Sequence, residues 1–211
     1  MSERRRCVII GGAGISDYEF ARSRIREDDY VIYCDSGLRH MDGLGVQPSL
    51  IIGDFDSHED PHMDVETITL PVAKDDTDTV FAARTGIERG YKEFLLLGAI
   101  GARFDHSLVN VYILTRLADS GCRGEIIDDY SEMELICEGE TARVPDSYPF
   151  FSLVALEGPA EGVSISGAKF CLQDARIGPE YQYATSNEAL PGAEAEISVK
   201  EGRLLLIKDR I

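Results

Sequence analysis

Two short stretches of the chain concentrate carboxylates at a spacing that suits cation binding. Asp54 and Asp56 follow the apolar run 50–52, which predicts a buried strand. Gly53 directly before them lets the backbone pass close to a ligand. The second stretch, Lys74-Asp75-Asp76-Thr77-Asp78, follows about twenty residues later, and nine Asp or Glu residues but one Lys occupy the interval 54–78.

Such a concentration of negative charge would repel a phosphate unless a cation lay between them. Oxygen ligands suit Mg²⁺, which proteins commonly hold through one or two carboxylates together with substrate phosphates. Asp54-Phe55-Asp56 taken alone is also ordinary turn chemistry, because Asp bonds its own backbone. The second acidic cluster favours a metal–phosphate site over a simple turn.

The chain up to about residue 128 alternates between strand and helix patterns. The predicted strands are 8–10, 30–34, 50–52, 67–70, 94–97 and 125–127, and the predicted helices are 18–26, 38–44, 75–89 and 106–118. The third helix is expected to have Asp75 or Asp76 as its N-cap and Gly90 as its C-cap. The alternation predicts an α/β fold with a parallel sheet covered by helices on both faces.

Ligands of such sheets bind at the carboxyl ends of the strands. This rule predicts that Gly11, Asp35, Asp54, Asp75 and Gly98 lie along one edge of the sheet. The glycine-rich turn after the first strand has two readings of equal weight, a tight strand-to-helix connection and a close approach to a nucleotide. It matches neither the dinucleotide-binding fingerprint nor the Walker A loop.

The pattern changes after about residue 138. Short predicted strands with Gly and Pro turns follow at 142–145, 150–156, 163–166, 195–199 and 203–207. We therefore predict an α/β domain over 1–138 and a small antiparallel β-sandwich domain over 143–211. Glu201-Gly202 is expected to form a hairpin turn between the last two strands.

The composition argues against several functional classes. The 211-residue chain carries a formal net charge of −17, which argues against nonspecific nucleic-acid binding and against an anionic-membrane anchor. Nucleotide binding stays open, because a metal can reverse the local charge. No apolar run suits a signal peptide or a membrane span, so a cytoplasmic location is expected. The five cysteines lack metal-site or disulfide spacing and are predicted to be buried free thiols.

Five motifs together resemble the signatures of the thiamine pyrophosphokinase family, in order and spacing, over nearly the whole chain. They are 34–37 (Cys-Asp-Ser-Gly), 53–57 (Gly-Asp-Phe-Asp-Ser), 74–78 (Lys-Asp-Asp-Thr-Asp), 101–106 (Gly-Ala-Arg-Phe-Asp-His) and 186–188 (Ser-Asn-Glu). The resemblance implies an α/β catalytic domain, a β-sandwich domain and a homodimer with active sites at the subunit junction. It also implies pyrophosphoryl transfer from ATP to thiamine, which gives thiamine diphosphate and AMP.

The chain departs from the family pattern at three points. It has Cys34-Asp35-Ser36-Gly37 where the family more often has Ala-Asp-Gly-Gly, and Gly101-Ala102-Arg103 where the family often has Gly-Gly-Arg. It also has no tryptophan, on which some members stack thiamine. Tyr181 or Tyr183 is the candidate substitute.

For an ATP-dependent transfer, the acidic motifs are expected to bind the metal. Asp54, Asp56 and Asp78 are the candidate Mg²⁺ ligands, directly or through waters. Asp75 is expected to be a further ligand or to accept the proton of the substrate hydroxyl. Asp35 is expected on the nucleotide side of the site.

The remaining candidates bind phosphate or thiamine. Arg103 is expected to clamp phosphate oxygens with its fork, Lys74 to add a point charge, and Asp105 to orient Arg103 or a second metal. His106 is favoured as a helix-start residue bonded to a neighbour rather than as the general base. The resemblance assigns Ser186 and Asn187 to hydrogen bonds with the aminopyrimidine of thiamine.

Three alternatives remain open from the residues alone. The first is a diphosphokinase that acts on another small alcohol, such as a pterin. The second is a phosphohydrolase with Asp54 as nucleophile and Asp56 as its acid/base partner, which leaves 103–106 without a role. The third is a nucleotide-binding module without catalysis.

Overall fold

The chain folds into two compact units, Met1–Asp129 and Tyr130–Ile211. The structure, a computed structural model, describes residues 6–55, 63–71 and 76–211. The division between the units falls at Asp129, whereas the sequence placed the end of the α/β domain at residue 138. The segment 131–136 therefore belongs to the second unit.

The first unit is built on a parallel sheet. Its strands are β1 (Cys7–Ile10), β2 (Tyr30–Cys34), β3 (Leu50–Gly53), β4 (Thr67–Thr69), β5 (Glu93–Leu97) and β6 (Arg123–Ile127), and they lie in the order β4-β3-β2-β1-β5-β6. Every pairing among them is parallel. All residues of β1 and β3 are buried, as expected for central strands covered on both faces. The predicted α/β class is confirmed.

Helices connect these strands, and several differ from the predicted bounds. They are α1 (Tyr18–Ser23), a 3-10 helix (Asp35–His40), α2 (Met41–Leu44), α3 (Asp78–Glu88) and α4 (Phe104–Asp119). The first helix ends at Ser23 rather than Arg26, and the turn that closes it is tighter: the amide of Arg24 donates to the oxygen of Ala21 at 3.2 Å and that of Ile25 to the oxygen of Arg22 at 3.1 Å. Arg6 donates to the oxygen of Arg24 at 2.6 Å and Arg22 to that of Ile25 at 2.9 Å.

The start of α3 corrects the predicted N-cap. Thr77 caps the helix, because its Oγ1 accepts the amide of Val80 at 3.3 Å. Asp75 lies outside the described residues, and Asp76 instead pairs with Arg84 at 2.8 Å. At the other end Arg89 is the C-cap, and Gly90, with a φ of 86°, is the residue after it.

The second unit contains two antiparallel sheets. Its strands are β7 (Ser131–Ile136), β8 (Thr141–Pro145), β9 (Phe150–Val154), β10 (Ala160–Ser166), β11 (Leu172–Ile177), β12 (Glu194–Ser198) and β13 (Leu204–Asp209). One sheet has the order β7-β13-β9 and the other β11-β10-β12-β8. Buried apolar residues from both sheets, among them Phe151, Ile165, Ile197 and Leu206, form one core. The predicted β-sandwich is confirmed.

The predicted hairpin between the last two strands is wrong. β12 pairs with β8 and β10, whereas β13 pairs with β7 and β9. Ile197 and Leu206 both point into the shared core, so their strands lie in opposite layers. Gly202, with a φ of 82°, lies between them in a connection from one sheet to the other.

The cysteines agree with the sequence in part. All five are free thiols. Cys7, Cys34 and Cys122 are buried, but Cys137 is partly exposed and Cys171 is exposed, which corrects the prediction that all are buried. Burial raises the pKa of Cys7 to about 12, so this thiol is inert at neutral pH. Across the described ranges, no helix is long and apolar enough to cross a membrane.

Candidate functional site

The carboxyl ends of β2 and β3 bring two predicted site residues into adjacent positions. Asp35 follows β2 and is 2% exposed, and Asp54 follows β3 and is partly buried. A Cβ added to Gly53 would lie 2.5 Å from Cβ of Asp35, so only glycine allows the two backbones this close. Phe55, next in the chain, has a φ of 54°, a region that bulky residues rarely adopt. The chain therefore turns sharply directly after Asp54.

Asp78 enters the same edge from α3. It is the first residue of this helix, where the helix dipole favours a carboxylate, and it is partly buried. The helix packs against β1, β2 and β3. Three further predicted residues, Asp56, Lys74 and Asp75, lie outside the described residues.

Arg103 and Asp105 form an exposed ion pair at the start of α4. Nη2 of Arg103 lies 2.7 Å from Oδ2 of Asp105, and 70% of the Arg103 side chain is exposed. The hydrogen bond from Arg103 lowers the pKa of Asp105. Nε2 of His106 lies 4.0 Å from the same carboxylate oxygen. The guanidinium of Arg103 is thus oriented by a neighbour while its surface faces solvent.

The glycine-rich turn after β1 is locked against the turn after β5. The amide of Gly11 donates to the oxygen of Leu97 and that of Ala13 to the oxygen of Gly98, both at 2.8 Å. A Cβ on Gly11 would lie 2.5 Å from the oxygen of Gly98, and a Cβ on Gly98 would lie 2.5 Å from the oxygen of Gly11. The two main chains cross where a side chain has no room.

His40 is a buried residue of this edge that the sequence reasoning missed. Its Nε2 donates to the oxygen of Ala13 at 2.8 Å, so its Nδ1 accepts from the hydroxyl of Tyr18, also at 2.8 Å. Burial lowers the pKa of His40, and the nearby Arg39 acts in the same direction. The neutral ring therefore ties the glycine-rich turn to α1. No spacing in the sequence marks a single histidine of this kind.

A buried polar bridge joins α3 to α4 beneath the edge. Thr79, next to Asp78, donates its hydroxyl to Oδ1 of Asn110 at 2.7 Å, and Nδ2 of Asn110 donates to the oxygen of Ala99 at 2.8 Å. We call this the Thr79–Asn110 bridge. One signal in the sequence marks it, because Asn110 lies at helical spacing from the buried residues Ile113, Leu114 and Leu117, where an aliphatic residue would be expected.

The second unit presents its predicted residues differently. Asn187 is 3% exposed, and its Oδ1 accepts the amides of Phe170 at 3.0 Å and Glu188 at 2.9 Å. Its Nδ2 donates to the oxygen of Phe170 at 2.8 Å. Ser186 is exposed, has a φ of 54°, and donates its amide to the hydroxyl of Ser152 at 3.0 Å. Asn187 therefore holds a loop together, while Ser186 is exposed to solvent.

Exposed aromatic rings lie in the same unit. The rings of Tyr181 and Tyr183 have centroids 5.2 Å apart, and the two residues are 69% and 39% exposed. The hydroxyl of Tyr183 donates to the oxygen of Arg176 at 2.8 Å, which fixes that ring. Large exposed rings suit stacking against a flat ligand.

The residues present suit a hard cation. Asp54 and Asp78 offer carboxylate oxygens from partly buried positions at one sheet edge, and this donor type matches Mg²⁺. Within residues 6–55, 63–71 and 76–211, no group of three or more His, Cys, Asp or Glu side chains is arranged to hold a metal. The predicted set Asp54, Asp56 and Asp78 is described only in part, since Asp56 is outside these ranges.

Comparisons with known proteins agree with this architecture. Residues 21–126 match the family model "Thiamin pyrophosphokinase, catalytic domain", and residues 140–204 match "Thiamin pyrophosphokinase, vitamin B1 binding domain". A thiamine pyrophosphokinase of Bacillus subtilis (strain 168) is 23% identical over 181 residues, 82% of this chain and 84% of the relative.

Solved structures show the same fold along the whole chain. The crystal structure of thiamine pyrophosphokinase from Bacillus subtilis aligns with a TM-score of 0.86 at 20% identity and covers 97% of this chain and 99% of that one. The structure of thiamin pyrophosphokinase from Geobacillus thermodenitrificans aligns with a TM-score of 0.81 at 26% identity and covers 97% of both chains.

The first unit is a parallel α/β unit with carboxylates at the carboxyl ends of its strands, and its sequence matches a catalytic-domain model. The second unit is a β-sandwich whose sequence matches a vitamin-binding model. Together they define a two-domain transferase. The chain belongs to the thiamine pyrophosphokinase family.

Proposed function

We propose that the protein transfers a pyrophosphoryl group from ATP to the hydroxyethyl oxygen of thiamine, giving thiamine diphosphate and AMP. The observation that carries the proposal is the placement of Asp35, Asp54 and Asp78 at one sheet edge of a unit whose sequence matches the family's catalytic-domain model. Neither the pterin diphosphokinase nor the phosphohydrolase has support in the comparisons.

In the proposed reaction the thiamine hydroxyl attacks the β-phosphorus of ATP. A new O–P bond forms, the bond between the β-phosphorus and the α–β bridging oxygen breaks, and AMP leaves with that bridging oxygen. The hydroxyl proton is released, and Asp75 is the proposed acceptor when it is not a metal ligand. Negative charge spreads over the transferring group, so the protein contributes chiefly position and electrostatic stabilisation.

The α/β unit would hold the nucleotide. Asp54 and Asp78, together with Asp56, are the proposed Mg²⁺ ligands, and the bound ion would neutralise phosphate charge. Arg103, oriented by Asp105 at 2.7 Å, would clamp phosphate oxygens with two parallel hydrogen bonds. Lys74 is the proposed point charge beside the phosphates, and Asp35 is the proposed residue on the nucleotide side.

The β unit would hold thiamine. The hydroxyl of Ser186 is the proposed direct partner of the aminopyrimidine, and Tyr181 or Tyr183 the proposed stacking ring. Asn187 would act chiefly by shaping its loop, because Oδ1 already accepts two backbone amides. The net charge of −17 would also attract the cationic thiazolium ring.

We further propose a homodimer with active sites at the subunit junction, located in the cytoplasm. The observation in favour of the dimer is an exposed apolar stripe on α4, where Phe104, Leu108 and Tyr112 are 75%, 41% and 42% exposed. Sedimentation at several protein concentrations tests this assembly. A monomer at every concentration would contradict it, and Leu108→Glu should weaken a dimer formed through this face.

The decisive test is incubation with ATP, Mg²⁺ and thiamine, followed by chromatographic separation of the products. Formation of AMP and thiamine diphosphate in equal amounts supports the proposal. Thiamine-independent release of phosphate would indicate a hydrolase, and AMP formed with a hydroxymethyl pterin but not with thiamine would indicate the pterin alternative. Nucleotide binding without turnover would indicate a binding module.

A further inference from the structure

The Thr79–Asn110 bridge lies between two residues that the proposed reaction needs. Thr79 directly follows Asp78 in the first turn of α3. The other end of the bridge is the oxygen of Ala99, in the loop that leads to Arg103. Rotation of the first turn of α3 would displace Asp78, and movement of the loop would displace Arg103.

The same loop is fixed at a second point from α4. Oγ of Ser107 accepts the amide of Gly101 at 2.9 Å and lies 3.0 Å from the oxygens of Gly101 and Arg103. Ser107 and Asn110 are both buried, at 8% and 6% exposure. Helix α4 therefore holds the loop through Ser107 and reaches α3 through Asn110.

Stability alone gives no reason for a polar pair at this position. A buried hydroxyl and amide lose their water, and replacement of both by apolar groups of the same shape is often neutral. A hydrogen bond differs from apolar packing because its strength depends on angle. The bond therefore fixes the orientation of the Thr79 side chain relative to that of Asn110.

We propose that Thr79 and Asn110 are positioning residues that hold Asp78 and Arg103 at their working separation. The inference rests on the proposed function. Neither residue has to touch a substrate, because each acts through a neighbour in the chain. Loss of the hydroxyl of Thr79 should then reduce the rate of the chemical step more than the binding of thiamine.

The test compares Thr79→Val with Thr85→Val. Thr85 lies on the same helix and is 6% exposed against 9% for Thr79, but its hydroxyl bonds the oxygen of Phe81 within the helix, whereas the hydroxyl of Thr79 reaches Asn110 and lies 3.2 Å from that of Thr77. We expect Thr79→Val to lower kcat roughly 10- to 100-fold, the scale expected for a displacement near 1 Å, with KM for thiamine nearly unchanged. Thr85→Val should keep wild-type kcat at a similar melting temperature.

Thr79→Ser gives an independent variant should Thr79→Val fail to fold. It keeps the hydroxyl and removes Cγ2, the atom that approaches the Gly11 position. Recovery of kcat in Thr79→Ser supports the bridge. A Thr79→Ser enzyme with kcat reduced as in Thr79→Val would assign the effect to methyl packing and overturn the inference.

Two readouts do not depend on turnover. Hydrogen exchange at the amide of Gly101 should accelerate in Thr79→Val and stay unchanged in Thr85→Val. Calorimetry with Mg²⁺ and α,β-methylene ATP should show weaker binding in Thr79→Val alone. Equal kcat, exchange and binding in the two valine variants would refute the positioning role, whereas a wild-type enzyme that makes no thiamine diphosphate would refute the proposed function itself.

Discussion

The two units use their polar side chains in opposite ways. In the α/β unit, Arg103, which is proposed to bind phosphate, has 70% of its side chain exposed, and buried neighbours such as Asn110 carry the hydrogen bonds of the scaffold. In the β unit, Asn187, predicted from sequence to meet substrate, is 3% exposed and itself carries the scaffold bonds. A motif residue can therefore be an accessible side chain in one unit and a buried loop clamp in the other.

The comparison predicts that substitutions in the α/β unit lower activity and leave stability unchanged, whereas substitution of the loop clamp in the β unit lowers stability. The accessible residues of the α/β unit should be dispensable for folding and essential for turnover. Removal of Asn187 from the β unit should lower stability in any ligand state, because the amides of Phe170 and Glu188 and the oxygen of Phe170 then lose their hydrogen-bond partner.

The largest effect is expected at the proposed metal ligands. Asp54→Asn or Asp78→Asn removes a charge from the sheet edge and should lower kcat/KM by at least roughly 100- to 1,000-fold, the scale of losing one key electrostatic group. The folded state should survive, because fewer like charges then crowd the metal-free edge. Circular dichroism and steady-state kinetics check both statements.

Glu88→Gln is the matched control, since Glu88 lies at the far end of α3 and its side chain is 69% exposed. It should behave as wild type. Near-wild-type activity in either aspartate variant would remove that residue from the metal site.

Arg103→Lys should give the next largest effect. Lysine keeps the charge and loses the planar fork, so kcat/KM should fall roughly 10- to 100-fold on loss of a charge-assisted hydrogen bond. Arg116→Lys, in the last turn of the same helix, is the control and should be neutral. Full activity of Arg103→Lys would reduce Arg103 to a distant positive charge.

Asn187→Ala should act first on stability. Stranding the backbone groups of Phe170 and Glu188 should cost about 1–3 kcal/mol in the free energy of unfolding. Ser186→Ala, which removes an exposed hydroxyl next door, should leave stability unchanged and weaken thiamine binding alone. Denaturant titration and calorimetry with thiamine and with Mg-nucleotide separate the two variants.

Two results would change this account of the loop. Equal weakening of both ligands in Asn187→Ala would show that the whole fold is disturbed. Unchanged thiamine affinity in both variants would take the 186–188 loop out of the site.

The smallest effect concerns His40 and pH. Burial lowers the pKa of His40 in the folded state, so the unfolded chain binds the proton more readily. The contribution of His40 to the free energy of unfolding is therefore complete above its ordinary pKa of 6.5. It declines as the pH falls below that value, by at most about 1.4 kcal/mol per pH unit. Unfolding measured from pH 7 to 5 should be less pH-dependent in His40→Gln than in the wild type. Equal slopes would show that the pKa of His40 is the same in the folded and the unfolded chain.

The sequence was sufficient for the elements that local pattern determines. The sequences of β1, β2, β3 and β5 are apolar runs between turn formers. Their parallel direction follows from their alternation with helices. β7 was not predicted, because Glu132 and Glu134 occupy alternate positions on the strand face that also carries the core residue Ile136. Lys208, more than seventy residues away, lies 3.7 and 2.9 Å from their carboxylates, and no local pattern reveals that pairing.

Strand β11 was not predicted for a different reason. It is an edge strand with exposed polar residues, and Asp174 within it has a φ of 51° near a register shift. The site shows the same limit: the positions of Asp35 and Asp54 follow from strand ends, whereas His40 and the Thr79–Asn110 bridge depend on which helices meet. Tertiary packing alone decides those contacts.

The crossing of main chains at Gly11 and Gly98 restricts which substitutions these two positions can accept during evolution. A pair of core side chains can exchange volume, since a larger residue at one position is accommodated by a smaller one at the other. Here each position is blocked by the partner's carbonyl oxygen, 2.5 Å from the would-be Cβ, and every amino acid has that oxygen. No compensating substitution at the partner exists, so the two positions should show invariance without covariation in any library selected for folding.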